Sequence, residues 1–214
     1  MRTGDRLRQV AIERFAAQGF QATGIRDLAK HTGLSVASLY QHMSTKQDLL
    51  AEIMAESLQQ LTADADAVLA QVDDPLDRIA GLTTVHVVAH ALTREKTLVV
   101  DTEMRSLGPA ARDQVIVLRD AYEQRWSDVL EAAAAQDLIS GKHLGMARLA
   151  ILHMLTGVAT WFRPNGPATI EEVAQTHVDF VLALLDARRR QRKVRHEQCS
   201  YPDTAWFANL RSGA

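Results

Sequence analysis

Cysteine is nearly missing from this 214-residue sequence, where Cys199 stands alone. That excludes an internal disulfide and a cysteine-rich zinc site. Proline is scarce, with five residues and none before Pro75, and aromatic residues make up only 5%. No apolar run approaches the ~18 residues that span a bilayer. The N-terminus, with Arg2, Asp5, Arg6, Arg8, Glu13 and Arg14, holds no signal-peptide core. The expected location is therefore cytoplasmic, without a membrane partner. There is no Gly-x-Ser-x-Gly, no phosphate-binding glycine loop and no Cys/His pair spaced for a nucleophile, so the reading is that the chain is no enzyme and needs no cofactor. No stretch reads convincingly as strand, and no repeat is found.

What is present is an ordinary globular composition, 47% hydrophobic and 23% charged, long enough for one or two domains with a sizeable core. The net charge of −2 hides a segregation. Residues 1–50 carry seven Lys/Arg against four Asp/Glu, whereas residues 51–187 carry ten against twenty. Six basic residues and no acid follow between Arg188 and Arg195. A basic leading segment beside an acidic body suggests a polyanion partner at one end and a different task at the other.

Each proline (Pro75, Pro109, Pro164, Pro167, Pro202) falls where apolar periodicity breaks, as punctuation between helices. Leu50, Met54, Leu58, Leu61, Ala65, Val68 and Val72 recur at threes and fours and predict a long helix from about Lys46 to Val72. A second starts at Pro75, and a shorter segment covers Val99 to Leu107. Further helices are expected from Pro109 to about Asp137, from Lys142 to Phe162, and from Thr169 towards Arg190. The final stretch, 196–214, has Tyr201, Trp206, Phe207 and Leu210, which is unusual for a free tail and predicts docking or partial disorder. The basic cluster reads by default as a solvated face; prolonging the last helix, touching DNA or anchoring the acidic body of a partner are the alternatives.

The first fifty residues hold three short helical patterns: Leu7 to Phe15 ended by Gly19, Thr23 to His31, and Ser35 to Met43. Thr23 and Ser35 are good N-caps, Gly33 sits in the intervening turn, Ala29 is small enough for close helix approach, and Leu39 faces inward. This is the packing logic of a helix-turn-helix, whose second helix enters the DNA major groove.

At these residues the stretch from Arg8 to Leu50 resembles the DNA-binding domain of the TetR family of one-component repressors. The matching residues are Phe15-Ala16-Ala17-Gln18-Gly19-Phe20, Thr23, Ile25-Arg26-Asp27-Leu28-Ala29, Gly33-Leu34-Ser35, Leu39-Tyr40-Gln41-His42-Met43, and Lys46 with Asp48-Leu49-Leu50. Where the family usually has Gly-Thr in the third helix, this chain has Ala37-Ser38, which puts the operator sequence rather than the activity in question. Chemistry and resemblance together imply that Thr23, Tyr40 and Lys46 hold phosphates, while Arg26, Val36, Ser38, Gln41 and His42 reach base edges. Ser35 belongs to the same interface.

The resemblance implies an all-α chain: a three-helix head (1–48), then a six-helix ligand-binding and dimerisation bundle (49–195) and the tail (196–214). The last two bundle helices are the expected homodimer interface, since two heads must address two half-sites of a palindromic operator in double-stranded DNA. The turn Trp161-Phe162-Arg163-Pro164-Asn165-Gly166-Pro167, with Tyr122, Arg125 and Trp126 before it, is similar to that of regulators answering to acyl-CoA thioesters. A plain proline-stapled connection is the alternative. Near it only Arg148 and His153 offer themselves to an acyl-CoA's phosphates.

The candidate effector contacts are Met104, Tyr122, Trp126, Trp161 and Phe162 as walls, with His86, His90, Arg119 and His153 orienting a polar group. His86 and His90 lie four apart, as two metal ligands would, but nothing completes a site and no metal is expected. The leading reading is a dimeric repressor released by a small hydrophobic or acyl-CoA-like effector. A constitutive DNA-binding or interaction protein, or a small-molecule enzyme on a helical bundle, remain the alternatives.

Overall fold

The structure is a computed structural model that describes residues 2–212, so Met1, Gly213 and Ala214, which the 1–48 and 196–214 segments include, lie outside it. In chain order the helices are α1 (Thr3–Gln18), α2 (Ile25–Thr32), α3 (Val36–Leu39), α4 (Lys46–Leu69), α5 (Pro75–Leu92), α6 (Arg94–Thr102), α7 (Pro109–Ala135), α8 (Leu144–Thr156), α9 (Val158–Trp161), α10 (Ile170–Leu184) and α11 (Thr204–Ser212). Three-residue 3-10 turns follow α6 and precede α11, and the ribbon β1 (Arg188–Arg189) and β2 (Arg192–Lys193) is the only sheet among the described residues. The expected all-α architecture is therefore what the chain adopts.

Two compact units emerge, residues 1–59 with 93–119, and residues 60–92 with 120–214. The first gathers the three head helices with α6 on a core of Leu7, Phe15, Phe20, Leu28, Leu39, Leu49, Leu50, Ile53 and Val99. Residues 93–119 thus group with the head, which no local pattern in that stretch announces. The second unit is built on α5, where fourteen of eighteen residues are buried, packed by α8, α9, α10 and α11. A helix buried on nearly every face carries little amphipathic signal.

Several boundaries differ from the sequence reading for local reasons. The N-cap of α2 is Gly24, extended at φ −88°, ψ 160°, and not Thr23. α3 is a single turn capped by Ser35, and the remainder to Met43 coils through isolated turn bonds, Gln41 N–H to the Ser38 carbonyl and His42 N–H to that of Leu39. α4 stops at Leu69, short of Val72. The helix expected over 142–162 divides at Gly157 into α8 and α9, glycine being the weakest helix former apart from proline. By length and composition alone Leu144–Trp161 is apolar enough to cross a membrane, which corrects the reading that no run approaches such a length. It is only 28% buried.

α10 ends at Leu184 and does not run on through the basic cluster. Asp186 turns left-handed at φ 49°, and the Ala187 N–H reaches back to the Leu182 carbonyl at 2.8 Å. This is a Schellman closure, which satisfies carbonyls the helix leaves open. Arg190 and Gln191, both at positive φ, then form a two-residue turn that pairs Arg188 with Lys193 and Arg189 with Arg192. Two consecutive left-handed residues suit the twist of a hairpin. The basic cluster is accordingly a ribbon. Its Arg189 points into the second unit, bridging Asp74 at 2.5 Å and Asp77 at 2.7 Å.

Candidate functional site

In the head, Ser35 accepts from the Ser38 N–H at 3.1 Å and the two hydroxyls lie 2.9 Å apart, which fixes the start of α3. Around that cap Arg26, Val36, Tyr40, Gln41 and His42 are exposed and Ser38 is half-buried. Tyr40 leaves 53% of its surface open while Leu39 beside it is fully buried. Burial of a tyrosine ring is the ordinary way to use it. α2 is held against α1 by Asp27, which accepts from Arg14 at 3.1 Å and Gln18 at 3.0 Å. Desolvation raises the Asp27 pKa, but the Arg14 hydrogen bond and charge, with His31 and Gln18, together outweigh it, and Asp27 stays below the usual carboxylate range.

Two expected phosphate ligands make contacts within the fold. Thr23 is 0% exposed; its hydroxyl donates to the Gly19 carbonyl at 2.9 Å and accepts from Gln18 at 3.2 Å. The Lys46 ammonium donates to the carbonyls of Phe20 and Thr23. Burial lowers the Lys46 pKa, against the pull of Glu103. Both residues shape the α1–α2 turn. The same turn is held by Glu103, a residue the sequence reading missed: it accepts from the Phe20 N–H at 3.0 Å and the Ser106 hydroxyl at 2.8 Å. Eighty-three residues separate Glu103 from Phe20, so no local pattern signals the contact.

The second unit contains a buried polar chain. Trp126 Nε1–H donates to the Tyr122 hydroxyl at 3.1 Å, Tyr122 lies 2.8 Å from His86 Nδ1, and His86 Nε2 lies 3.1 Å from the Thr156 hydroxyl. With Tyr122 donating, His86 is the neutral tautomer that donates onward to Thr156. His90 stacks on His86 at 3.9 Å, interplanar 7°, and shares 2.8 Å with the His86 carbonyl through Nδ1. Burial, and then the neighbouring His90, hold the His86 pKa well below its ordinary value. Burial also brings His90 down to about 4, and burial raises Tyr122. Thr156 was absent from the sequence candidates, because a threonine at a helix end has an ordinary capping explanation.

Of the nine effector candidates, His86, His90, Tyr122 and Trp126 are thus brought together. Phe162 is buried in the same unit's core. His153 is exposed, its Nδ1 3.0 Å from the Leu149 carbonyl, and Trp161 is half-exposed, stacked on His177 with centroids 6.1 Å apart. Met104 packs on the core of the first unit, and Arg119 belongs to that unit too. These four do not join the polar chain. Arg125 is bidentate to Asp66 at 3.0 and 3.1 Å, and Arg148 pairs with Glu123 at 3.1 Å, so each guanidinium is already matched to a carboxylate. Among the described residues no three His, Cys, Asp or Glu side chains gather as metal ligands would. Burial pushes the Cys199 thiol up to about 12, which leaves it unreactive.

Residues 7–53 match the family model described as bacterial regulatory proteins, tetR family, and residues 72–185 match that of a tetracyclin repressor-like C-terminal domain. The HTH-type transcriptional repressor KstR2 of Mycobacterium tuberculosis (strain ATCC 25618 / H37Rv) is 27% identical over 178 residues, 82% of this chain and 89% of the relative. A crystal structure of a tetR-family regulatory protein from Rhodococcus RHA1 covers 88% of this chain and 100% of its own, with 27% identity and a TM-score of 0.82. PfmR, a TetR-family transcriptional regulator from Thermus thermophilus, is 31% identical across 87% of this chain and 100% of its own, with a TM-score of 0.77.

Proposed function

Because the chain belongs to the TetR family of bacterial regulatory proteins, we propose that it is a homodimeric repressor that binds a palindromic operator and leaves it when a small effector enters the second unit. The observation that carries this reading is the exposed cluster Arg26, Val36, Tyr40, Gln41 and His42, displayed around a capped α3 on a rigid core. Arg26, Val36, Ser38, Gln41 and His42 read base edges, Gln41 by the bidentate pairing open to glutamine on adenine, and Tyr40 holds a phosphate. Ser35 acts by fixing α3. Residues 1–48 are the DNA-binding head, residues 49–195 the effector and dimerisation body, and residues 196–212 a tail docked on that body.

The dimer reading is supported by apolar side chains left open on α8, α9 and α10: Met146, Leu149, Trp161, Phe180 and Leu184. Two pairs of such helices would bury this face, and a twofold axis sets the head spacing to half-sites about one DNA turn apart. The effector is a small hydrophobic or acyl-CoA-like molecule whose one polar group meets His86, His90 or Tyr122. Binding one spacing of the heads more tightly than the other shifts the population and lowers operator affinity by that difference.

Fluorescence anisotropy on the DNA upstream of the chain's own gene, over several salt concentrations, is the test. Affinity well above that for unrelated duplexes and a steep loss with salt are expected; equal affinity for every duplex sinks the reading. The dense burial of α5 favours one second reading, a DNA-binding protein without effector, whose operator complex no candidate ligand would release.

A further inference from the structure

Beyond residue 185, where the C-terminal family model ends, the chain folds back on the second unit. Tyr201 passes over Gly81, whose missing side chain would lie 3.7 Å from the tyrosine Cβ. Asp203 then caps α11 through the Trp206 N–H at 2.8 Å. α11 spans nine residues, too short to be stable as an isolated helix in water. Its order therefore comes from docking. One face supplies it: Phe207, buried in the core, and Arg211, four residues on. That spacing places an aromatic ring and a cation side by side.

Arg211 reaches a buried acid. Asp64 on α4 is 2% exposed and accepts from Arg211 Nε at 2.7 Å and Nη2 at 2.5 Å, with Gln60 donating to its other oxygen at 2.8 Å. The Arg211 charge is felt at His90, and both charges at Tyr122, so the pair borders the buried polar chain. A carboxylate in that position needs a cation, since removing one partner of a buried pair leaves an uncompensated charge. The cation comes from the last turn of α11.

We propose that the recess beneath α11, floored by Asp64 and walled by α5 and α10, is a binding site for an organic cation carrying an apolar or aromatic body, and that α11 is its built-in occupant, displaced when such a ligand enters. Phe207 stands where the ligand's ring goes and Arg211 where its ammonium or guanidinium goes. Competition from α11 weakens the apparent affinity by the fraction of time the recess is open. The site makes no use of the head, so it holds or fails independently of the DNA-binding reading.

The probe is phenethylguanidinium, titrated calorimetrically into the full-length protein, its Arg211→Ala variant, and the Asp64→Asn/Arg211→Ala pair. Arg211→Ala is expected to bind at least about tenfold more tightly than the parent, its own cation no longer competing, and the double variant to lose that gain. Equal affinity across the three proteins, or no binding by Arg211→Ala, overturns the proposal. Hydrogen exchange on the unaltered protein gives a readout that needs no variant to fold. Saturating probe should cut the protection of the 204–212 amides, and binding that leaves their protection unchanged also overturns it.

Discussion

Lys46 donates to the carbonyl oxygens of Phe20 and Thr23 at 2.7 Å each while its ammonium lies 4.1 Å over the Phe20 ring. The start of α4 is thereby pinned to the α1–α2 turn, and the charge is spent on the fold before DNA arrives. Lys46→Ala should lower the unfolding free energy by roughly 1–3 kcal/mol, the range for hydrogen bonds to a charged donor. A lysine held on phosphate would instead change the slope of log affinity against log salt by about one. Denaturant titration and anisotropy at several salt concentrations separate the two: a loss of stability with an unchanged slope is expected.

Gln41 and Tyr40 are adjacent and exposed, yet their substitutions should differ in kind. Gln41→Ala is expected to relax preference at one base pair, losing about 1–3 kcal/mol of discrimination there. Tyr40→Phe should weaken binding to all sequences alike. Binding to a set of operators substituted one base pair at a time checks both, and an unchanged preference profile for Gln41→Ala would falsify its role.

The head was legible in the sequence because its signals are local. Gly19 and Gly33 at positive φ, the Ser35 cap and the inward Leu39 all lie within a turn or two of what they organise. Thr23 and Lys46 are legible only in part. A threonine before a helix and a lysine after a turn fit phosphate ligands by local pattern, while the carbonyls they reach within the fold are not signalled there. Glu103, Thr156 and the Arg211–Asp64 pair lie 70 or more residues from their partners, and composition gives no hint of such closures. The ribbon in the basic cluster was not legible, because backbone handedness at Asp186, Arg190 and Gln191 is not written in charge.

Tyr122 serves two partners, taking the Trp126 N–H and lying against His86 Nδ1, and all three side chains are buried. Tyr122→Phe keeps the ring and strands both groups. A buried polar atom left without a partner costs about 1–3 kcal/mol, so guanidinium unfolding should show a loss within or somewhat above that range. No loss of stability would mean that the chain contributes nothing to the folded state.

The buried histidines set a direction for pH. His90 falls to about 4 from an ordinary 6.5, so between those values the unfolded chain binds a proton that the folded one refuses. Stability is then fully present above about pH 6.5 and declines as the pH drops towards 4, by up to about 3 kcal/mol at roughly 1.4 kcal/mol per unit. His86, also depressed, acts in the same sense. Melting temperatures measured from pH 8 to 4 should fall on the acid side, and His90→Gln should flatten part of that fall. A stability that rises on acidification contradicts the burial of both rings.

Phe180 is 53% exposed on α10, edge-on to His177, which stacks in turn on Trp161. Leu184, Met146 and Leu149 are also open, and these side chains are where the proposed interface between copies would fall. A carboxylate at its centre must be desolvated if a second copy covers it, and needs nothing if water does. Phe180→Glu should therefore leave the circular dichroism spectrum and the melting of the monomeric fold intact while light scattering shows the mass halved at micromolar concentration. Operator affinity should fall with it, because one head alone reaches one half-site. A variant that keeps the parent's mass and affinity places the interface elsewhere on the body.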